Sequence, residues 1–216
     1  MISDYDETIK RRKTALRQQI LSERLSMSAA RRDSESLAIC DRLLDYISTR
    51  SHTTITAFLP TQHEIQLWTL FEHLPDHVDV WVPRALKRDR SGPRMLWAKL
   101  PANSTLPPPD WKAGAFGIVE PPPDICVERI EPDLVVTPCV AVSVFGERLG
   151  YGGGYYDKFL TDLEDRTLLN LPDHVAVAFS IQIFTTHLPF TKQDYRVKQI
   201  MSADGLYPCQ NQGQLI

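Results

Sequence analysis

LVVTPCVAVSVFGERLGYGGGYYDKFL, residues 134–160, is the stretch on which the fold turns. Residues 134–142 are apolar at almost every position, the composition of a strand buried on both faces of a parallel sheet. Gly146, Gly150, Gly152, Gly153 and Gly154 follow, and a helix is expected over residues 155–163. Glycines without Cβ let backbone N–H groups approach an anion, and a helix start adds unpaired N–H donors with a partial positive charge. Arg148 adds a fork of donors suited to a phosphate. The spacing matches neither the P-loop nor the dinucleotide fingerprint. Two readings stand on the residues alone: a phosphate loop of another type, or a flexible strand-to-helix connection.

Outward from this stretch, strands alternate with helices. Ile9, Leu16, Ile20, Leu21 and Leu25 recur at helical spacing, and Ser28 is placed to cap a second helix carrying Leu37, Ile39, Leu43, Leu44 and Ile47. Strands are expected at 53–59, at 78–82 with Pro83 as its stop, at 95–100, at 174–179 and at 197–201, and a short amphipathic helix at 64–74. Proline clusters at 107–109 and 121–123 mark loops. The alternation predicts a mostly parallel sheet with helices on both faces. Residues 1–216 read as one domain, with 1–50 as its helical amino-terminal part.

Composition narrows the function classes. Hydrophobic residues make up 43% and charged residues 24%, with net charge −3, so bulk electrostatics do not favour nucleic acid. No apolar run approaches a membrane span. The acidic start, with Asp4, Asp6 and Glu7, does not read as a targeting peptide. Cys40, Cys126, Cys139 and Cys209 form no C-x-x-C pair and read as free thiols in a reducing, cytoplasmic setting. His63-Glu64 begins like a zinc-protease helix, but position 67 is Leu.

Three groups of polar residues are candidates for chemistry. Lys13 and Arg17 share a helix face, either as a ligand-binding pair or as part of a solvated basic face with Lys10, Arg11 and Arg12. Asp157, one turn into its helix, either stabilises the helix dipole or holds Mg2+ beside phosphates. Glu64 follows a strand's carboxyl end, where open α/β sheets bind ligands; alternatively it is a first-turn helix acid.

Several segments together resemble one family, the 5-formyltetrahydrofolate cyclo-ligases. RLGYGGGYYDKFL at 148–160 is similar to its glycine-rich signature. Lys13 and Arg17, followed by Arg24 and Ser28, resemble its opening. FLPTQHEI at 58–65, VPR at 82–84, FGIVEP at 116–121 and Asp194 within LPFTKQDYRV resemble further blocks, in order along most of the chain. The resemblance implies a three-layer α/β/α sandwich with a mostly parallel, Rossmann-like sheet, and ATP- and Mg2+-dependent closure of 5-formyltetrahydrofolate to 5,10-methenyltetrahydrofolate. It implies ATP binding by Lys13, Arg17, Arg148, Leu149, Gly150, Tyr151, Gly152, Gly153, Gly154, Tyr155 and Tyr156. Folate contacts would come from Leu59 and Glu64 with Tyr151, Gly152, Gly153, Gly154 and Tyr155. Lys13, Arg148 and Tyr155 would act in catalysis, and Asp157 and Asp194 would hold the metal. Partners would be the two small-molecule substrates, with a monomer favoured. Ser143 and Lys198 depart from the pattern where acids are common. The family admits Lys at position 153, so substitution should be tolerated better there than at Gly152 or Gly154. A nucleotide-binding regulator on the same fold and an RNA-associated basic helix are the competing readings.

Overall fold

The computed structural model describes residues 4–210 except 91, 102–105, 115–116 and 167–170. Two helices open the chain, α1 (Asp4–Ser26) and α2 (Ala29–Thr49), and the Ser28 side chain caps α2 by accepting from Arg31 N. The remaining helices are α3 (Trp68–His73) and α4 (Tyr155–Arg166).

The main sheet contains β1 (Thr54–Thr56), β2 (Asp79–Ala85), β3 (Met95–Lys99), β6 (Leu134–Pro138), β9 (Asp173–Val177), β11 (Gln199–Met201) and β12 (Leu206–Pro208), in the order β12-β11-β9-β6-β1-β2-β3. β11, β9, β6, β1 and β2 are mutually parallel, and the two edges β3 and β12 are antiparallel. Two small sheets accompany it: β4 (Lys112–Ala113) with β5 (Val119–Glu120), and β10 (Ile183–Phe184) with β7 (Ala141–Ser143) and β8 (Arg148–Leu149).

The core follows the side-chain alternation of β6. Leu134 and Val136 point into the larger cluster, with Ile39, Leu43 and Ile47 of α2 and Leu70 of α3. Val135 points the other way, toward Phe159, Leu160 and Leu163 of α4. This is the expected three-layer sandwich. The first helix, α1, lies over the small sheet, where Ile20 packs with Val140, Ala141 and Leu149. Leu25 and Leu37, expected on apolar faces, are exposed.

The strand expected at 53–59 shortens to Thr54–Thr56, and three further differences from the sequence reading have an identifiable cause. Residues 134–142 are not one strand: the chain breaks after Pro138 and crosses from the main sheet to the small one. The buried Gln182 amide stabilises the break by donating to the carbonyls of Cys139 (2.7 Å) and Val140 (3.0 Å). Pro83 does not stop β2. Val80 O accepts from Leu100 N and Leu86 N donates to Arg94 O, so even-numbered residues of β2 bond β3 while odd-numbered ones face β1. Proline at 83 therefore costs nothing toward β3. On the other side it falls where pairing with β1 has ended, after the bond from Ala57 N to Trp81 O. Finally, the helix expected over 64–74 shrinks to α3. The Gln66 amide donates to Thr61 O and Glu64 O, and the Glu64 carboxylate accepts from Thr61 N, so side chains hold a turn where helix was expected.

Candidate active site

The strand order places the site. From β1 the chain runs outward through β2 to β3, then returns to β6 and continues through β9 and β11 on the opposite side. The direction of winding reverses between β1 and β6, the crevice in which open α/β sheets bind ligands. The loop carrying Glu64 follows β1, and the glycine loop follows β6 by way of β7 and β8.

Within the glycine loop, Gly152 (φ +98°) and Gly154 (φ +73°) hold the left-handed backbone that side chains disfavour. Arg148 lies beneath the loop, with its side chain 2% exposed. It donates to Asp157 Oδ1 (2.8 Å) and Pro138 O (3.3 Å) and sits over the Tyr156 ring. Asp157 Oδ1 also accepts from Tyr195 N at 3.2 Å. Tyr155 starts α4 and donates its hydroxyl to Leu86 O. Beyond Tyr155, between α4 and β3, opens a cleft of about 340 Å³ whose lining includes Arg94, Trp97, Lys158 and Phe159.

Helix α1 brings cations onto the loop. Lys13 Nζ donates to Asp194 Oδ1 at 2.7 Å, and Arg17 Nε donates to Gly150 O at 2.7 Å. Burial lowers the Arg17 pKa, and the nearby Asp194 and Asp157 carboxylates oppose that shift. By contrast Lys10, Arg11 and Arg12 are exposed. The basic run thus divides into a solvated part and a part facing the site. The Asp194 carboxylate also accepts from Thr191 N and Oγ1 in its own turn. Among the described residues no three His, Cys, Asp or Glu side chains form a ready metal cage.

Glu64 is buried, and each carboxylate oxygen has a partner: Thr61 N at 2.8 Å and the Tyr151 hydroxyl at 2.6 Å. Burial, with the Glu64 charge next, pushes the Tyr151 phenol pKa up. Leu59 is buried in the main core. Arg24 joins Glu64 in a small recess also lined by Phe58, Ile65, Cys139 and Gln182, and its guanidinium lies 5.6 Å from the centre of the Tyr151 ring. The sequence reading gave Arg24 no role. Its signal was helical spacing, since 13, 17, 20 and 24 form one stripe of α1. The family-like blocks VPR and FGIVEP also meet: Arg84 donates to Pro121 O at 2.6 Å and pairs with Glu120. Phe116 of the second block lies outside the described residues. Of the two departures, Ser143 is buried and its hydroxyl bonds Glu147, while Lys198 is exposed.

The loop geometry predicts an order of sensitivity. Alanine at Gly152 or Gly154 forces a positive φ on a side chain, costing roughly 1 kcal/mol or more. Gly153 has no such φ, but a Cβ there would lie 2.7 Å from the Tyr155 ring. Gly153→Lys is therefore tolerated only if Tyr155 releases Leu86. By ATP titration calorimetry, Gly152→Ala and Gly154→Ala should lose about tenfold in affinity, and Gly153→Lys less, with circular dichroism unchanged. A larger loss at 153 would show that the Tyr155 anchor, and not the backbone twist, sets the loop.

Fold and site together define an α/β protein with a glycine-rich loop at the switch point of a parallel sheet, faced by a helix carrying cations. Residues 9–203 match the 5-formyltetrahydrofolate cyclo-ligase family, a family of enzymes, and the chain belongs to it. It is 34% identical over 156 residues to 5-formyltetrahydrofolate cyclo-ligase of Mycolicibacterium smegmatis, covering 69% of this chain and 75% of that one. A 112-residue stretch is 33% identical to the mitochondrial 5-formyltetrahydrofolate cyclo-ligase of Arabidopsis thaliana, covering 46% of this chain but only 40% of that one. The fold is similar to the NMR structure of 5,10-methenyltetrahydrofolate synthetase from Aquifex aeolicus. The TM-score is 0.72 at 25% identity, over 94% of this chain and 96% of that one. No helix among the described residues is long and apolar enough to cross a membrane.

Proposed function

We propose that this protein converts 5-formyltetrahydrofolate to 5,10-methenyltetrahydrofolate, with ATP going to ADP and phosphate. Family membership over residues 9–203 is the observation that carries the reading. The formyl oxygen takes the γ-phosphoryl group of ATP. N10 of the folate attacks the activated carbon and loses its proton. The C–O bond breaks, and phosphate leaves with the former formyl oxygen. No covalent enzyme intermediate is required, so the residues supply position and charge.

In this reading the glycine loop from Gly150 to Gly154, with Tyr155 and Tyr156, receives the nucleotide phosphates, and Lys13 and Arg17 neutralise them from α1. Arg148, buried against Asp157, acts by holding the loop. Glu64 receives the pterin, beside Tyr151. Asp157 and Asp194 flank Arg17, and two carboxylates with phosphate oxygens and water suit Mg2+. The metal would add positive charge at the phosphates. Lys13 would exchange its Asp194 partner for a phosphate as the nucleotide binds. Residues 1–216 act as one domain, because α1 belongs to the site. Four unpaired cysteines support a cytoplasmic location.

The test is methenyltetrahydrofolate formation by the purified protein, with stoichiometric ADP release, only when ATP and Mg2+ are both present. ATP binding without product at any Mg2+ concentration would overturn the proposal in favour of a regulator.

A further inference from the structure

We infer that Arg24 is a specificity-determining residue of the folate site, donating hydrogen bonds to the 4-oxo group of the pterin while Glu64 accepts from its ring N–H and 2-amino groups. This rests on the cyclo-ligase reading above.

The first observation is a buried guanidinium with an unpaired donor. Arg24 is 5% exposed, its Nε has no hydrogen-bond partner, and it forms no ion pair among the described residues. A guanidinium removed from water in this state is costly unless something polar reaches it. Its neighbours in the recess, Phe58, Ile65 and Cys139, offer apolar surface, the Gln182 amide already serves Phe179, Cys139 and Val140, and the polar side chain that meets the guanidinium is Tyr151, which leaves Nε unpaired. The recess therefore holds an unpaired donor, Arg24 Nε, beside the Glu64 carboxylate.

The second observation is spacing along α1. Arg24 lies seven residues past Arg17, about 10 Å at 1.5 Å per residue. Lys13 and Arg17 meet the Asp194 and Gly150 end of the loop, whereas Arg24 meets Glu64 and Tyr151. One helix thus serves both substrates, with its later cation out of reach of the phosphates. Between Arg24 and Glu64 lies Tyr151, whose hydroxyl bonds the Glu64 oxygen that a pterin N–H would claim. A 2-amino-4-oxo pyrimidine edge presents donors and an acceptor side by side. A carboxylate beside a guanidinium is the complementary pair.

The test compares two ligands, 5-formyltetrahydrofolate and its 4-amino-4-deoxy analogue, in which a donor replaces the 4-oxo acceptor and N3 carries no proton, so that the comparison is made within each ligand, parent against variant. Affinities are measured by calorimetry for the parent, Arg24→Met and Arg24→Lys, with ATP affinity and the urea midpoint as controls. Arg24→Met should weaken the 4-oxo ligand about 30-fold, in the range expected for a charged hydrogen bond. It should leave the 4-amino ligand within about threefold and ATP unchanged. Arg24→Lys, which keeps a donor, should fall between. Equal weakening of both folates, or of neither, overturns the Arg24 assignment while leaving the cyclo-ligase reading intact. A shift in ATP affinity instead places Arg24 with the phosphates and overturns it too. A parent protein that binds neither folate overturns both.

Discussion

Replacing Arg148 by Met is expected to lower the thermal unfolding midpoint by about 8 °C and turnover by at least about 100-fold. Arg148 is the most enclosed charge of the loop, with its side chain 2% exposed and its partner Asp157 21% exposed. Removing one member of a buried pair leaves the other uncompensated, at roughly 3–5 kcal/mol. Asp157 retains some solvent and its bond from Tyr195 N, so about 3 kcal/mol is the better figure. For a chain of this length each kcal/mol moves the midpoint by about 2–4 °C. The catalytic loss has a separate cause, because the Arg148 bonds to Pro138 O and Asp157 tie the loop to the end of β6 and the start of α4. A misplacement of about 1 Å can cost 100-fold in rate. The double variant Arg148→Met/Asp157→Leu isolates the stability effect, because it also removes the carboxylate proposed to hold Mg2+. It should recover most of the stability, since no unpaired charge remains, but none of the activity. Calorimetric unfolding and the methenyltetrahydrofolate assay read the two quantities. Recovery of activity in the double variant would mean that the pair serves stability alone.

Glu64→Gln should weaken 5-formyltetrahydrofolate binding by about 10- to 100-fold while ATP affinity stays within about twofold. The amide oxygen can still accept from Thr61 N, and the amide nitrogen can face the Tyr151 oxygen, so the turn at 61–64 should survive. What is lost is an anionic acceptor for ligand N–H donors, each such bond contributing about 1.5–3 kcal/mol. Tyr151→Phe provides the opposite control. Its hydroxyl occupies Glu64 in the structure, so removing it frees that acceptor, and folate affinity should hold or rise. If Glu64→Gln binds folate like the parent, or if Tyr151→Phe loses as much as Glu64→Gln, the carboxylate is not the pterin acceptor. Titration calorimetry with each substrate separately decides this.

By itself the sequence determined what is local. The apolar run at 134–138, the glycine loop and the helix after it form a continuous segment whose side-chain pattern and backbone freedom need no distant partner. The same holds for the Ser28 cap and for the alternation that implies a parallel sheet with helices on both faces. Local rules also misled where a distant group intervened. Pro83 reads as a strand stop, but it lies beyond the end of β1 pairing and loses no bond to β3. Residues 134–142 read as one strand, but Gln182 satisfies the carbonyls at the break.

Tertiary structure alone decided which charges meet. Lys13 and Asp194 stand 181 residues apart, and Glu64 and Tyr151 stand 87 apart. No periodicity links such pairs. They meet because winding reverses between β1 and β6, bringing the loops after both strands to one crevice, and because α1 packs its Ile20 on the small sheet there. The role of Arg24 was hidden for the same reason. Its place on the helix stripe is legible in the chain, but the carboxylate and the recess beside it exist only once the sheet order is set.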